Sequence, residues 1–150
     1  MSSPTAQRVR SPVLLLPRLA KQIFRRSSDE LLGMPLKAML ALSYLQDTDP
    51  THPGSPQQDL ADALGVDANM VVLVLNEVED RGWAQRRRDP HDRRRHRVEI
   101  TTEGRAALKR TEKAQQAIED EVLGALDPEE RATLADLLGR ALSGLERPGS

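Results

Sequence analysis

A chain of 150 residues is long enough for one domain with a real core and short for two. Apolar residues make up 38% of it and aromatic residues 2%, so the core must be aliphatic; with no cysteine, a disulfide scaffold, a thiolate metal site and a thiol redox switch are excluded. The net charge of −1 hides a partition: residues 1–30 carry 6 basic and 2 acidic side chains, 31–80 carry 1 and 8, 81–104 carry 8 and 4, and 105–150 carry 7 and 9. Local fields reach only about 8–10 Å in salt, so these clusters outweigh the total.

Residues 1–11 lack apolar periodicity and read as a disordered arm. A first helix is predicted over Pro12 to Ser28, with Leu15, Leu16, Leu19 and Ile23 on one side and Arg18, Lys21, Arg25 and Arg26 on the other. The run Val13 to Leu16 is too short for a signal segment or a membrane span, and Pro17 ends it, so a soluble cytoplasmic protein with no membrane partner is the expectation. Gly33-Met34-Pro35 punctuates the chain before a second helix carrying Leu36, Met39, Leu40 and Tyr44 to about Gln46. Residues 47–55 form a loop by composition.

Ser55-Pro56-Gln57-Gln58 reads as a helix start, with Ser55 at the N-cap, Pro56 at the first position and Gln58 completing a capping box. That helix turns Leu60, Ala61 and Leu64 inward and stops at Gly65, where left-handed backbone costs little. Asp67 caps the next helix, from Ala68 to about Arg81, and Gly82 ends it. Residues 56–81 thus spell helix, tight turn, helix. Two short stretches, Trp83 to Arg86 and His96 to Thr101, then read as a hairpin around Asp89-Pro90-His91-Asp92.

Thr101 or Thr102 caps a long helix from about Glu103 to Leu126, with Leu108, Thr111, Gln115, Ile118, Val122 and Ala125 inward. Asp127-Pro128-Glu129-Glu130 starts a last helix with an apolar face of Leu134, Leu137, Leu138, Ala141, Leu142 and Leu145. The fold class is mostly α with a small β-hairpin wing: a winged helix-turn-helix flanked by N- and C-terminal dimerisation helices. Residues 12–150 make one domain, with dimerisation helices at about 12–28 and 128–145, the winged unit at about 35–102 and a linking helix at about 103–126. The outer helices carry more leucine than a lone monomer would expose. Leu15, Leu16, Leu19, Ile23, Leu134, Leu137, Leu138 and Leu142 are therefore assigned to a homodimer interface.

Residues 60–104, LADALGVDANMVVLVLNEVEDRGWAQRRRDPHDRRRHRVEITTEG, resemble the multiple antibiotic resistance regulator (MarR) family of winged helix-turn-helix proteins. The Asp-Pro-x-Asp-Arg-Arg turn followed by Ile-Thr-x-x-Gly is the most specific part, and the flanking helices match in order over about residues 30–145. The resemblance implies a homodimer that binds a short palindromic operator in double-stranded DNA and, in many members, releases it when a small phenolic or lipophilic ligand binds. It also implies a minor-groove arginine at Arg94, oriented by Asp92, with Arg93, Arg95 and Arg97 as phosphate or groove contacts.

Seven of the twelve residues from Arg86 to Arg97 are arginine. Each arginine that neutralises a phosphate releases a counterion, and a narrow minor groove favours guanidinium. A solvated hairpin whose charges only protect a sheet edge is the bland alternative. The second helix of the pair departs from the family. Val71, Val74, Leu75 and Val78 form its core side; Asn69, Leu73, Asn76 and Asp80 lie opposite, flanked by Met70, Val72 and Glu77, and no basic residue precedes Arg81. Asn69 and Asn76 can read adenine and Met70, Val72 or Leu73 can meet thymine methyls, whereas Glu77 and Asp80 repel phosphate. Packing of Met70, Val72 and Leu73 on neighbouring helices is the competing reading. The DNA-facing set is Gln57, Ala68, Asn69, Met70, Val72, Leu73, Asn76, Arg88, Arg93, Arg94, Arg95 and Arg97, with Asp92 in support.

His52, His91 and His96 lack metal-ligand spacing and the latter two sit in cationic surroundings, so no metal or cofactor is expected. There is no phosphate loop, nucleophile elbow or histidine with a matching nucleophile, which argues against an enzyme. The reading is a ligand-responsive repressor, for which the resemblance implies a small lipophilic or aromatic effector; Thr111 and Gln115 fit a cleft lining, though Thr and Gln on a half-exposed helix need no such explanation. Two alternatives stay open: a helical adaptor that keeps the fold but binds protein, and a nonspecific nucleic-acid binder driven by arginine alone.

Overall fold

The computed structural model describes residues 11–47 and 55–146. The expected arm at 1–11 falls, apart from Ser11, outside the described residues, as do most of the 47–55 loop and His52. In chain order the elements are α1 (Pro12–Arg26), α2 (Asp29–Leu32), α3 (Leu36–Gln46), β1 (Ser55–Pro56), α4 (Gln57–Leu64), α5 (Ala68–Asp80), β2 (Ala84–Arg88), β3 (His96–Ile100), α6 (Thr102–Arg110), α7 (Glu112–Val122) and α8 (Pro128–Glu146). They divide into two compact units, Asp29–Lys113 and the described parts of Met1–Ser28 with Ala114–Ser150.

The first unit is a mostly helical winged helix-turn-helix. Its core is built on α3, which buries Ala38, Ala41, Leu42 and Leu45 against α4, α5, α6 and β3. The sequence suggested a stripe of Leu36, Met39, Leu40 and Tyr44 instead; Met39 and Tyr44 only lean on the core and Leu40 is 42% exposed. α3 is apolar nearly all round, so no single stripe marks its inner face, and its alanines are what let several neighbours approach.

The turn between α4 and α5 follows from two residues. Gly65 adopts φ 65°, its N–H donates to the Asp62 carbonyl (3.1 Å) and the Val66 N–H reaches back to Ala61 (3.1 Å), which satisfies the last carbonyls of α4. Asp67 then caps α5, its Oδ1 accepting the Met70 N–H at 2.8 Å. Val71, Val74, Leu75 and Val78 all face the core, as the spacing predicts.

The hairpin is part of a three-stranded antiparallel sheet in the order β1-β3-β2. β2 and β3 pair from Ala84↔Ile100 to Arg88↔His96, and β1 pairs Ser55 with Val98. Ser55 is therefore a buried strand residue and not the helix cap that its Ser-Pro-Gln-Gln context suggested; α4 begins without a side-chain cap. The open edge of β3 recruits the extended Ser55-Pro56 backbone, and two-sided pairing of β3 outweighs one capping bond.

The single helix expected over 103–126 is two. At Thr111, which is buried, the side-chain hydroxyl and the backbone N–H both donate to the Leu108 carbonyl (2.6 and 3.0 Å), tightening the turn where α6 ends. Gln115, expected inward, is exposed. In the second unit Arg26 pairs with Glu121 at 2.8 Å, and Arg131 with Asp120 at 2.6 Å. The Arg131 bond, helped by Gln116, holds the Asp120 carboxyl below the ordinary carboxylate value. α8 opens on a reciprocal capping box: Asp127 accepts the Glu130 N–H (2.9 Å) while Glu130 accepts the Asp127 N–H (3.0 Å).

The Ile-Thr-x-x-Gly stretch is a junction. Thr101 Oγ1 donates to the Gly82 carbonyl (2.6 Å) and accepts the Gly104 N–H (3.0 Å), and the Thr101 N–H donates to the Trp83 carbonyl (3.0 Å). That seats Gly104 so close that a Cβ would lie 2.0 Å from the Trp83 carbonyl oxygen. Alanine normally stabilises a helix over glycine by about 1 kcal/mol. Here Gly104→Ala is expected to destabilise the protein by about 1–3 kcal/mol, measured as a lower urea midpoint.

Candidate nucleic-acid interface

Strand alternation sorts the hairpin's side chains before any partner is considered. Ala84, Arg86 and Arg88 share the face that looks toward α5; Gln85 and Arg87 share the other. Arg86 meets Glu79 of α5 in a half-buried ion pair, and its Nη2 also donates to Asn76 Oδ1 at 3.3 Å. On the opposite face Glu99 of β3 accepts from Gln85 (3.2 Å) and pairs with Arg87 (3.4 Å).

The wing tip is organised by two aspartates. Asp89 is 9% exposed; its Oδ1 accepts the His91 N–H (2.8 Å), its Oδ2 lies 3.4 Å from Arg97 Nη1, and its own N–H donates to the Arg95 carbonyl (2.9 Å). The His91 N–H above all, and then Arg97, hold the Asp89 carboxyl below its ordinary 3.8 against the opposing effect of burial. Asp92 accepts the Arg94 N–H at 3.1 Å and approaches Arg95 at 3.7 Å. It fixes the backbone that carries Arg94 and makes no bond to that guanidinium. No role for Asp89 is legible in the sequence, because an aspartate in a turn needs none; its burial is visible only in the fold.

The seven arginines thus fall into two groups. Arg86, Arg87, Arg95 and Arg97 have carboxylate partners, the Arg95 pair being long and exposed and hence weak. Arg88, Arg93 and Arg94 are exposed and make no side-chain ion pair among the described residues. Arg94 and Arg95 line a groove of about 510 Å³ with Pro56, Gln57, Gln58, Asp59 and His96, which brings Gln57 together with the wing.

On α5, Ala68, Asn69, Leu73 and Asn76 are exposed and Met70 is half-buried. Val72 is 37% and Leu73 63% exposed among the described residues. Of the two carboxylates expected to oppose phosphate, Glu77 is neutralised locally, whereas Asp80 is exposed and has no ion pair among the described residues. Glu77 pairs with Arg81 (2.9 Å), which sits 5.0 Å over the Trp83 ring, and Glu79 pairs with Arg86. His91 and His96 are exposed, and among the described residues no group of three His, Cys, Asp or Glu side chains gathers as a metal site. No helix among them is long and apolar enough to cross a membrane.

Of the side chains assigned to the dimer, Leu16, Ile23, Leu137, Leu138 and Leu142 are exposed, while Leu15, Leu19 and Leu134 are half-buried. Val13, Leu14 and Phe24 are exposed too and were not in that set.

Fold and junctions together define a winged helix-turn-helix protein. A family model described as MarR family matches residues 32–95. A protein described as the transcriptional regulatory protein for the hcr operon of Thauera aromatica is 38% identical over 89 residues, 59% of this chain and 54% of that one. The chain spans about half the length of the curated relatives it matches. Among solved structures, a transcriptional regulator from Pseudomonas aeruginosa is 27% identical with a TM-score of 0.67, over 88% of this chain and 97% of that one. The transcriptional repressor CouR, bound to a 23-mer DNA duplex, is 25% identical with a TM-score of 0.68, over 94% and 99%. Residues 32–95 are thus similar to the MarR family, and the fold is similar to that of solved transcriptional regulators.

The lowered Asp89 carboxyl has a defined pH signature. A depressed folded value stabilises the wing fully above the unfolded value and is lost as pH falls through the folded one. Exchange of the His91 amide should therefore show no effect of Asp89 titration between about pH 5 and 8 beyond the intrinsic rate, and should gain an extra acceleration only in acid. Asp89→Ala should show the faster exchange at every pH, read by amide hydrogen exchange.

Proposed function

We propose that this chain is a double-stranded DNA-binding transcription repressor that acts in the cytoplasm as a homodimer on a palindromic operator. The observation that carries the reading is the division of the wing arginines: among the described residues Arg88, Arg93 and Arg94 make no ion pair, beside a helix whose Glu77 and Glu79 are neutralised within the fold. Three free guanidinium groups at the tip of a hairpin suit a phosphate backbone or a narrow minor groove. Arg95, in its weak pair, and Arg97, anchored by Asp89, flank them. The exposed face of α5, with Ala68, Asn69, Met70, Val72, Leu73 and Asn76, would lie in the major groove, and Gln57 would meet the backbone.

The dimer rests on the exposed Leu16, Ile23, Leu137, Leu138 and Leu142, too many apolar side chains for a lone chain to leave in water. Two copies would present their α5 helices to successive major grooves about 34 Å apart. The family resemblance adds a small lipophilic or aromatic effector; Thr111, being buried and bonded to Leu108, is a poor candidate to contact it.

The test is duplex affinity measured against salt. With three free arginines in each of two copies, log affinity should fall against log salt with a slope of about −5, and one palindrome should be preferred. Arg94→Ala should cost about 1–3 kcal/mol in binding and leave the oligomer intact. Leu138→Glu should convert a species of twice 16.7 kDa to one of that mass in sedimentation. No binding at low salt would leave the protein-binding adaptor, and salt-dependent binding without preference the nonspecific binder.

A further inference from the structure

A lone asparagine on a recognition helix reads adenine by using both ends of its carboxamide, the oxygen accepting from N6 and the nitrogen donating to N7. In this chain one of that oxygen's two lone pairs already accepts a bond. Arg86 Nη2 lies 3.3 Å from Asn76 Oδ1. The assignment of oxygen to that side is dictated by chemistry, since a guanidinium has only donors and the amide atom facing it must be the acceptor.

Arg86 is itself held. Its strand position turns it toward α5, across from the fully buried Val98, and Glu79 lies one turn after Asn76 on the same flank of the helix. The guanidinium pairs with Glu79 through Nε and again, at 3.4 Å, through Nη2. Glu79 Oε1 is buried and accepts no hydrogen bond of good geometry, so the Arg86 charge is what offsets it. Releasing Arg86 would strand that oxygen, which keeps the arginine in place.

We infer that Arg86 is a positioning residue that turns Asn76 into a donor-only reader, so that α5 selects an acceptor edge, guanine O6/N7 or thymine O4, at the position Asn76 meets. Cytosine presents only an amino group there, which would face the amide N–H donors and be rejected, and adenine offers those donors N7 alone, beside an amino group left without an acceptor. This deepens the DNA-binding reading and rests on it. It also replaces the adenine preference suggested for Asn76 by its residue type alone.

The experiment is selection of bound duplexes from a randomised pool by the full chain, run for wild type, Asn76→Ala and the double variant Glu79→Gln/Arg86→Met. The double variant removes the ion pair as a unit and frees the carboxamide. Wild type should favour guanine or thymine by about tenfold at one position of each half-site. Asn76→Ala should lose that preference alone, and the double variant should move it to adenine. A wild-type adenine at the Asn76-dependent position, or a double variant that folds and keeps guanine or thymine, overturns the clamp while leaving DNA binding intact. The same holds for an Asn76→Ala pool identical to wild type. Asn76 is exposed, so its alanine variant decides between donor-only and adenine reading even where the double variant does not fold. A wild-type pool with no enrichment overturns the DNA-binding reading itself, and the inference with it.

Discussion

Everything in the winged unit depends on how its carboxylates are used inside the fold. Glu77, Glu79, Asp89 and Glu99 each meet an arginine of the same unit. Few of these pairs contribute much to stability, because most are half-exposed. Their effect is on the field: these four carboxylates are cancelled within a few ångströms, while Arg88, Arg93 and Arg94 have no ion pair among the described residues. A chain with a net charge of −1 thereby presents a local positive end.

The same pairs link strand to helix. Arg86 ties β2 to α5 through Glu79 and Asn76, and Thr101 and Gly104 tie the start of α6 to the Gly82-Trp83 turn. The wing is thus fastened at its base on both strands. Asp89 and Asp92 shape its far end by accepting backbone N–H groups, which leaves most of the tip's guanidinium groups free of that task.

Much of this was legible from local chemistry. Gly65, Asp67, Gly82 and the Asp127/Glu130 box act as their residue types demand, because each controls backbone within four residues of itself. The hairpin and the valine face of α5 follow from alternation and helical period. What escaped the sequence depends on partners distant in the chain. Ser55 became a strand because β3 offered an edge 43 positions away. The inner face of α3 was set by small residues that neighbours need, and the end of α6 falls at Thr111, where the hydroxyl and the N–H both donate to the Leu108 carbonyl. Which arginines are free was equally hidden, since pairing is fixed by strand register and not by the run of seven.

The central claim is that charge in the wing is divided between structure and solvent. It is tested most directly by following the arginine Nε–Hε resonances of the intact chain during titration with a duplex carrying its selected site. The account predicts that Arg88, Arg93 and Arg94 shift strongly while Arg86 and Arg87 hold their positions. Large shifts at Arg86 and Arg87 with Arg88, Arg93 and Arg94 unmoved would contradict it.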